Sequence, residues 1–160
     1  MNERTLILLR HAKSDWSTGA ADIDRPLAER GRRQAPVAGR WLAANIDSIG
    51  LAVVSPANRA RSTWELVMAE LDVPPRTRID DRLYAASADE LLAVVRDLPD
   101  DVETAVLVGH NPGFEDLATL LSGKATRITT SALAVLTISG SWSAAAPAAS
   151  TLTALGRPPA

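Results

Sequence analysis

Three short, almost wholly apolar runs limit how this chain can fold: Thr5-Leu6-Ile7-Leu8-Leu9, Leu51-Ala52-Val53-Val54 and Ala105-Val106-Leu107-Val108. Such runs show no alternation of polar and apolar residues, which is the pattern of strands buried on both faces. Segments with helical spacing follow them. Pro26 to about Asn45 places Leu27, Ala35, Ala38, Trp41 and Leu42 on one face, and Asn58 to Leu71 does the same with Trp64, Leu66, Val67 and Leu71. Further helices are expected over Ala88–Leu98 and Pro112–Leu121, and further strands over Arg76–Ile79, Ser131–Ile138 and Ser150–Leu155. The Ala/Ser-rich stretch from Gly140 to Ala149 reads as a loop despite Trp142. Strand and helix alternating over 160 residues predict one domain, 1–160. Its expected class is α/β, a three-layer α/β/α sandwich with a largely parallel sheet.

The ends of those three strands carry the chemistry. Arg10-His11 follows the first, Ser55-Pro56-Ala57-Asn58-Arg59 the second, and Gly109-His110-Asn111-Pro112-Gly113 the third. In an open α/β sheet the carboxyl ends of parallel strands share one rim, where ligands bind. The chain has only 2 His, and both fall at such ends. Convergence of His11, Arg10, Arg59 and His110 would make a site for a phosphoryl group. Arginine forks hold two oxygens at once and never deprotonate. A neutral imidazole whose other nitrogen is oriented by an acceptor is a competent nucleophile. A second imidazole supplies a further donor.

Composition removes several alternatives. Without Cys there is no disulfide, thiolate metal site or thiol nucleophile. No His-x-x-x-His or Asp-x-Asp-x-Asp spacing occurs, and Arg25 directly follows Asp22 and Asp24, so neither a metal nor another cofactor is expected. A net charge of −2 gives no reason to expect nucleic acid or an anionic membrane as partner. The apolar stretch near the N-terminus is stopped by Arg10, too early for a signal-peptide core or a membrane span, so the expected location is the cytoplasm.

Leu9-Arg10-His11-Ala12-Lys13 resembles the Arg-His-Gly/Ala signature of the histidine phosphatase superfamily, whose fold is phosphoglycerate-mutase-like. Ser55-Pro56-Ala57-Asn58-Arg59-Ala60-Arg61-Ser62-Thr63 is similar to its Ser-Pro-x-x-Arg-Ala-x-x-Thr segment. Val108-Gly109-His110-Asn111-Pro112 is similar to its second-histidine motif. The resemblance implies that His11 becomes phosphorylated, that Arg10, Arg59 and His110 bind the phosphoryl oxygens, and that no metal takes part. Asp24-Arg25-Pro26-Leu27, Leu83-Tyr84-Ala85-Ala86 and Thr130-Ser131-Ala132 resemble more narrowly the small SixA branch of phosphohistidine phosphatases. That likeness thins beyond Ile138.

One departure bears on mechanism. Larger members of the superfamily place a Glu proton donor before the third helix, where this chain reads Ser87-Ala88-Asp89-Glu90. Asp89 and Glu90 fit the first turn of a helix, where acids favour the dipole. An alkoxide leaving group needs a general acid, whereas imidazole, with a reference pKa of about 6.5, is readily protonated. The expected function is therefore hydrolysis of phosphohistidine on a protein through a phosphohistidine enzyme intermediate at His11. Two alternatives stand beside it. One is a phosphomonoesterase for a small phosphate ester, with Asp89 or Glu90 as acid; the other is a phosphate-recognition module without turnover. Several neighbours have open roles. Trp16 could rim the pocket, Lys13, Ser14 and Asp15 could be phosphate neighbours or plain loop, and Ser55 could approach a phosphate or end a strand. Arg25 could pair with an acid or touch substrate, while Arg30, Arg32 and Arg33 read first as a solvated helix face.

Overall fold

The computed structural model describes residues 3–159. Strands β1 (Glu3–Arg10), β2 (Leu51–Val54), β3 (Arg76–Ile79), β4 (Thr104–Gly109), β5 (Leu133–Ser139) and β6 (Ser150–Gly156) form one sheet in the order β3-β2-β4-β1-β5-β6. Between them run helices α1 (Glu29–Asn45), α2 (Asn58–Met68), α3 (Ala88–Arg96) and α4 (Gly113–Ser122). The strands from β3 to β1 pair in parallel, whereas β5 is antiparallel to both β1 and β6. The sheet is therefore mixed but largely parallel.

Strand pleating explains the layers. Successive side chains of β1 point to opposite faces. Ile7 and Leu9 pack with Ala35 and Leu42 of α1 and Trp64 and Val67 of α2. Leu6 and Leu8 pack with Leu91 and Val95 of α3 and Phe114 and Leu117 of α4. Residues Leu6 to Leu9 are fully buried, as the unbroken apolar run requires.

Helix α1 starts later than Pro26 for a visible reason. The Pro26 carbonyl accepts from the Asp15 amide at 2.9 Å, Leu27 bridges Ser14, and the Ala28 amide donates to the Lys13 carbonyl at 2.9 Å. Those contacts hold residues 26–28 extended against the loop that follows β1. Helix α2 likewise ends at Met68 rather than Leu71, closing in a turn. Trp142 is not a loop ornament: it lies in a short 3₁₀ turn, fully buried, and its indole N–H donates to the Val102 carbonyl at 2.8 Å. Burying that ring costs no unpaired donor.

This topology delivers the ends of β1, β2 and β4 to one rim. Because β5 runs the other way, the segment entering it reaches the same rim. The Ser131 amide donates to the carbonyls of Arg10 and His11, at 3.1 Å each.

Candidate active site

Arg10, His11, Arg59 and His110 all line one cavity of about 240 Å³ at this rim. The rings of His11 and His110 are 5.1 Å apart, tilted by 54°. The four residues expected from the sequence are thus brought together, although they come from three separate strand ends.

His11 is held from several directions. Its amide donates to the Gly109 carbonyl at 3.0 Å, continuing the β1–β4 pairing beyond the strands. Its Nδ1 lies 2.7 Å from the Ala12 carbonyl. A carbonyl can only accept, so Nδ1 carries the ring proton and Nε2 keeps its lone pair. The Ala12 amide donates to Thr63 Oγ1 at 2.9 Å, and that hydroxyl donates to the Arg59 carbonyl at 2.7 Å. Thr63 therefore ties the His11 loop to the helix that carries Arg59. Gly31 of α1 completes the support: any Cβ there would overlap the Lys13 carbonyl, so only glycine lets α1 approach the loop so closely.

Arg10 and Asn111 share an anchor, the Ile128 carbonyl, accepting from Arg10 Nη1 at 3.2 Å and from Asn111 Nδ2 at 2.7 Å. His110 Nε2 meets Ser55 Oγ at 2.7 Å, and Ser55 Oγ also accepts from the Ala57 amide at 3.2 Å. Three buried nitrogens of the cluster find no protein partner: Arg10 Nε, Arg59 Nε and His110 Nδ1. Buried polar atoms are nearly always paired, so these three are exceptions, and all three belong to residues that line the cavity.

Asp22 lies in a short 3₁₀ turn after the His11 loop. Its Oδ2 accepts from Arg59 Nη2 at 3.1 Å and from the Tyr84 hydroxyl, while Oδ1 accepts from Arg25 Nε at 3.2 Å. Its backbone carbonyl takes a further bond from Arg59 Nη1 at 2.6 Å. Arg25 is both an ion-pair partner and a lining residue; it donates to Ser14 Oγ at 2.6 Å and stacks on Trp16 at 3.6 Å. Trp16 is at the rim, 72% exposed. The Tyr84 ring stands edge-on to His110 at 5.7 Å.

Burial and the surrounding arginines push both imidazoles away from the charged form. Desolvation, which leads, and the charges of Arg59, Arg10 and Arg25 hold His11 at about 4. Desolvation and then the facing His11 hold His110 at about 3. Both rings are therefore neutral at pH 7 and above. The unfolded chain, with ordinary His values near 6.5, takes up protons first as pH falls. This contribution to stability is complete above about pH 6.5 and is lost as pH falls towards 4. At about 1.4 kcal/mol per pH unit for each ring, the two together lose roughly 6 kcal/mol by pH 4. Urea midpoints measured between pH 7.5 and 4 should fall accordingly; a flat profile would contradict the desolvated pair.

The family profile of the histidine phosphatase superfamily (branch 1) matches residues 6–89. The chain belongs to that superfamily. It is 38% identical over 155 residues to an uncharacterized protein of Mycobacterium tuberculosis, covering 90% of this chain and 96% of the relative. Among solved structures it resembles a protein of Nakamurella multipartitia provisionally assigned as phosphohistidine phosphatase SixA, with a TM-score of 0.88 and 30% identity over 100% of this chain and 99% of the other. It also resembles the protein histidine phosphatase SixA complexed with tungstate, with a TM-score of 0.83 and 25% identity over 96% and 97% of the two chains. The phosphoglycerate-mutase-like fold and the SixA-type branch expected from the motifs are thus shown, and the structural likeness extends past Ile138 to the end of β6.

Asp89 and Glu90 do not line the His11 cavity. Glu90 closes a capping box with Ser87 at the start of α3, its Oε1 accepting from the Ser87 amide at 3.0 Å. Asp89 borders a different depression with Ser87 and Asp116. Asp22 and Tyr84 were not singled out as site residues by sequence reasoning. The legible sign for Tyr84 was its place shortly after β3, on the same rim as the other strand ends. Asp22 had none, because its loop is brought to the site by long-range contacts, those of Pro26, Leu27 and Ala28 with the His11 loop and those of Arg59 and Asn58 with Asp22 and Asp24. Among the described residues, no group of three or more His, Asp or Glu is placed to hold a metal, and no helix is long and apolar enough to cross a membrane.

Proposed function

We propose that this phosphatase hydrolyses phosphohistidine on a protein, as a single domain acting in the cytoplasm without a metal, through a phosphorylated His11. The carrying observation is the convergence of Arg10, Arg59 and His110 on the cavity lined by His11, an imidazole whose Nδ1 is bonded to the Ala12 carbonyl and whose Nε2 lone pair is free. Arg10 and Arg59 hold the phosphoryl oxygens. Such preorganised donors stabilise the charge that develops on those oxygens. His110, whose Nε2 is bonded to Ser55 Oγ, lines the same cavity and supplies a further donor to that group.

His11 Nε2 forms a bond to phosphorus as the bond to the substrate imidazole nitrogen breaks, and the electron pair leaves with that imidazole. Water then attacks the phosphorylated His11, releasing inorganic phosphate and restoring the ring. A neutral His11 at pH 7, following from its depressed pKa of about 4, keeps the nucleophile available. The tungstate complex of the similar SixA protein supports an oxyanion site, and neither Asp89 nor Glu90, the acids considered for a small-ester hydrolase, lines the cavity.

Incubation with a labelled phosphohistidine peptide tests the reading. Acid-labile label on the protein, chased by water, is expected, with kcat/KM on the peptide exceeding that on sugar or nucleotide phosphates. Preference for the esters by orders of magnitude would transfer the assignment to a small-metabolite phosphomonoesterase. Tight phosphate binding with neither label nor turnover would leave a recognition module.

A further inference from the structure

A carboxylate beside an anion site needs a reason. Asp22 lines the cavity, its side chain half-exposed, and its charge repels an incoming phosphoryl group. If it served only to align Arg59, its backbone carbonyl, already bonded to Arg59 Nη1, would do part of that work without a charge. The protein nevertheless fixes the charge: a hydrogen bond from Tyr84, ahead of the attractions of Arg59 and Arg25, holds the carboxyl at about 2. Held in its charged form in this way, Asp22 presents an acceptor rather than a donor at the cavity.

Its acceptor capacity is also unspent. An ionised carboxylate offers about four lone-pair sites. Arg59 and Tyr84 take two on Oδ2, and Arg25 takes one on Oδ1. One acceptor position remains on Oδ1 of a half-exposed side chain at the mouth of the cavity.

The proposed substrate supplies the matching donor. In phosphohistidine one ring nitrogen bonds phosphorus and the other carries no proton while the ring is neutral. Protonation of that far nitrogen gives an N–H that bears positive charge. With the proton already there, cleavage of the P–N bond sends its electron pair to the near nitrogen and releases neutral imidazole, with no further proton transfer. Loss from the unprotonated ring would instead expel imidazolate. A phosphate ester has no such nitrogen.

We infer that Asp22 is a specificity-determining residue that binds the protonated far nitrogen of the substrate imidazole, selecting phosphohistidine over phosphate esters. This rests on the proposed phosphohistidine reading of the site. The charged and titratable groups facing Asp22 are Arg25, Arg59, Tyr84 and, across the cavity, the neutral ring of His110, so the substrate imidazolium would be a third cation on a carboxylate already held in its charged state. An opposite charge at contact raises the protonation of an imidazole by about one pKa unit or more.

The test compares wild type and Asp22→Asn, which keeps the shape and removes the charge, on a phosphohistidine peptide and on p-nitrophenyl phosphate. At about pH 8, where a free imidazole is mostly unprotonated, the ratio of the two kcat/KM values should fall at least about tenfold in the variant. Equal losses on both substrates would overturn the inference and make Asp22 a positioning residue for Arg59. A larger loss on the ester would overturn it as well. The underlying reading fails separately: wild type that labels on His11 and cleaves the ester, yet does not turn over phosphohistidine, would remove the substrate class itself.

Discussion

His11→Ala is expected to lower kcat/KM by at least about 10⁴-fold and to abolish the acid-labile phosphoenzyme. The size of the effect follows from the step that is lost. Without Nε2, water would have to displace the substrate imidazole directly, and the remaining arginines would stabilise charge with no nucleophile aligned to use it. The variant should remain folded, because the His11 ring lies outside both apolar clusters and its removal deletes a neutral, desolvated imidazole rather than a core side chain. Circular dichroism and a urea midpoint beside the rate measurement separate the two effects. Labelling of His11→Ala equal to that of wild type would end the nucleophile assignment, and labelling retained only there but lost in His110→Ala would reverse the roles of the two rings.

The second large effect belongs to Arg59. Arg59→Ala should cost about 10³-fold in kcat/KM and weaken binding of phosphate or vanadate, since one charged donor set aimed at the transferring group is worth about 10²–10³-fold. Two further consequences add to it. Arg59 is only 6% exposed, so truncation opens space beneath the site. Asp22 also loses its partner, leaving a less compensated negative charge where the substrate anion must sit. Arg59→Lys should rescue little, because an ammonium cannot bond the Asp22 carbonyl, its carboxylate and a phosphoryl oxygen through one planar fork. Unchanged vanadate affinity in Arg59→Ala would exclude Arg59 from the oxyanion site.

Which features were readable in advance follows from how local their causes are. The runs Leu6–Leu9, Leu51–Val54 and Ala105–Val108 identify strands because burial on both faces leaves no polar position to confuse the reading. The four site residues were readable because each sits directly at a strand end or in the first turn of the helix beyond it. Thr63 was visible as part of a motif, but its task was not: the hydroxyl that joins Ala12 to Arg59 acts across two elements whose approach no local pattern encodes. Asp22 was hidden more deeply, since its partners Arg59 and Tyr84 lie far along the chain. Pro36 lies inside the expected helix. It should interrupt a helix, yet α1 runs through it, held by the buried face of Ala35, Ala38, Gly39 and Leu42. There tertiary packing outweighs local preference.

The position of β1 has a consequence for how this molecule loses activity. Thr5 to Leu9 are paired on both sides, to β4 and to β5, and four consecutive residues there are wholly enclosed. Backbone so placed opens only when the whole domain does. The proposed nucleophile, His11, begins one residue beyond that strand, anchored to a doubly paired, fully enclosed segment. Heat should therefore extinguish turnover and melt the sheet together, and any earlier softening would be confined to the 15–25 segment, altering which phosphates are accepted before it alters whether any are cleaved.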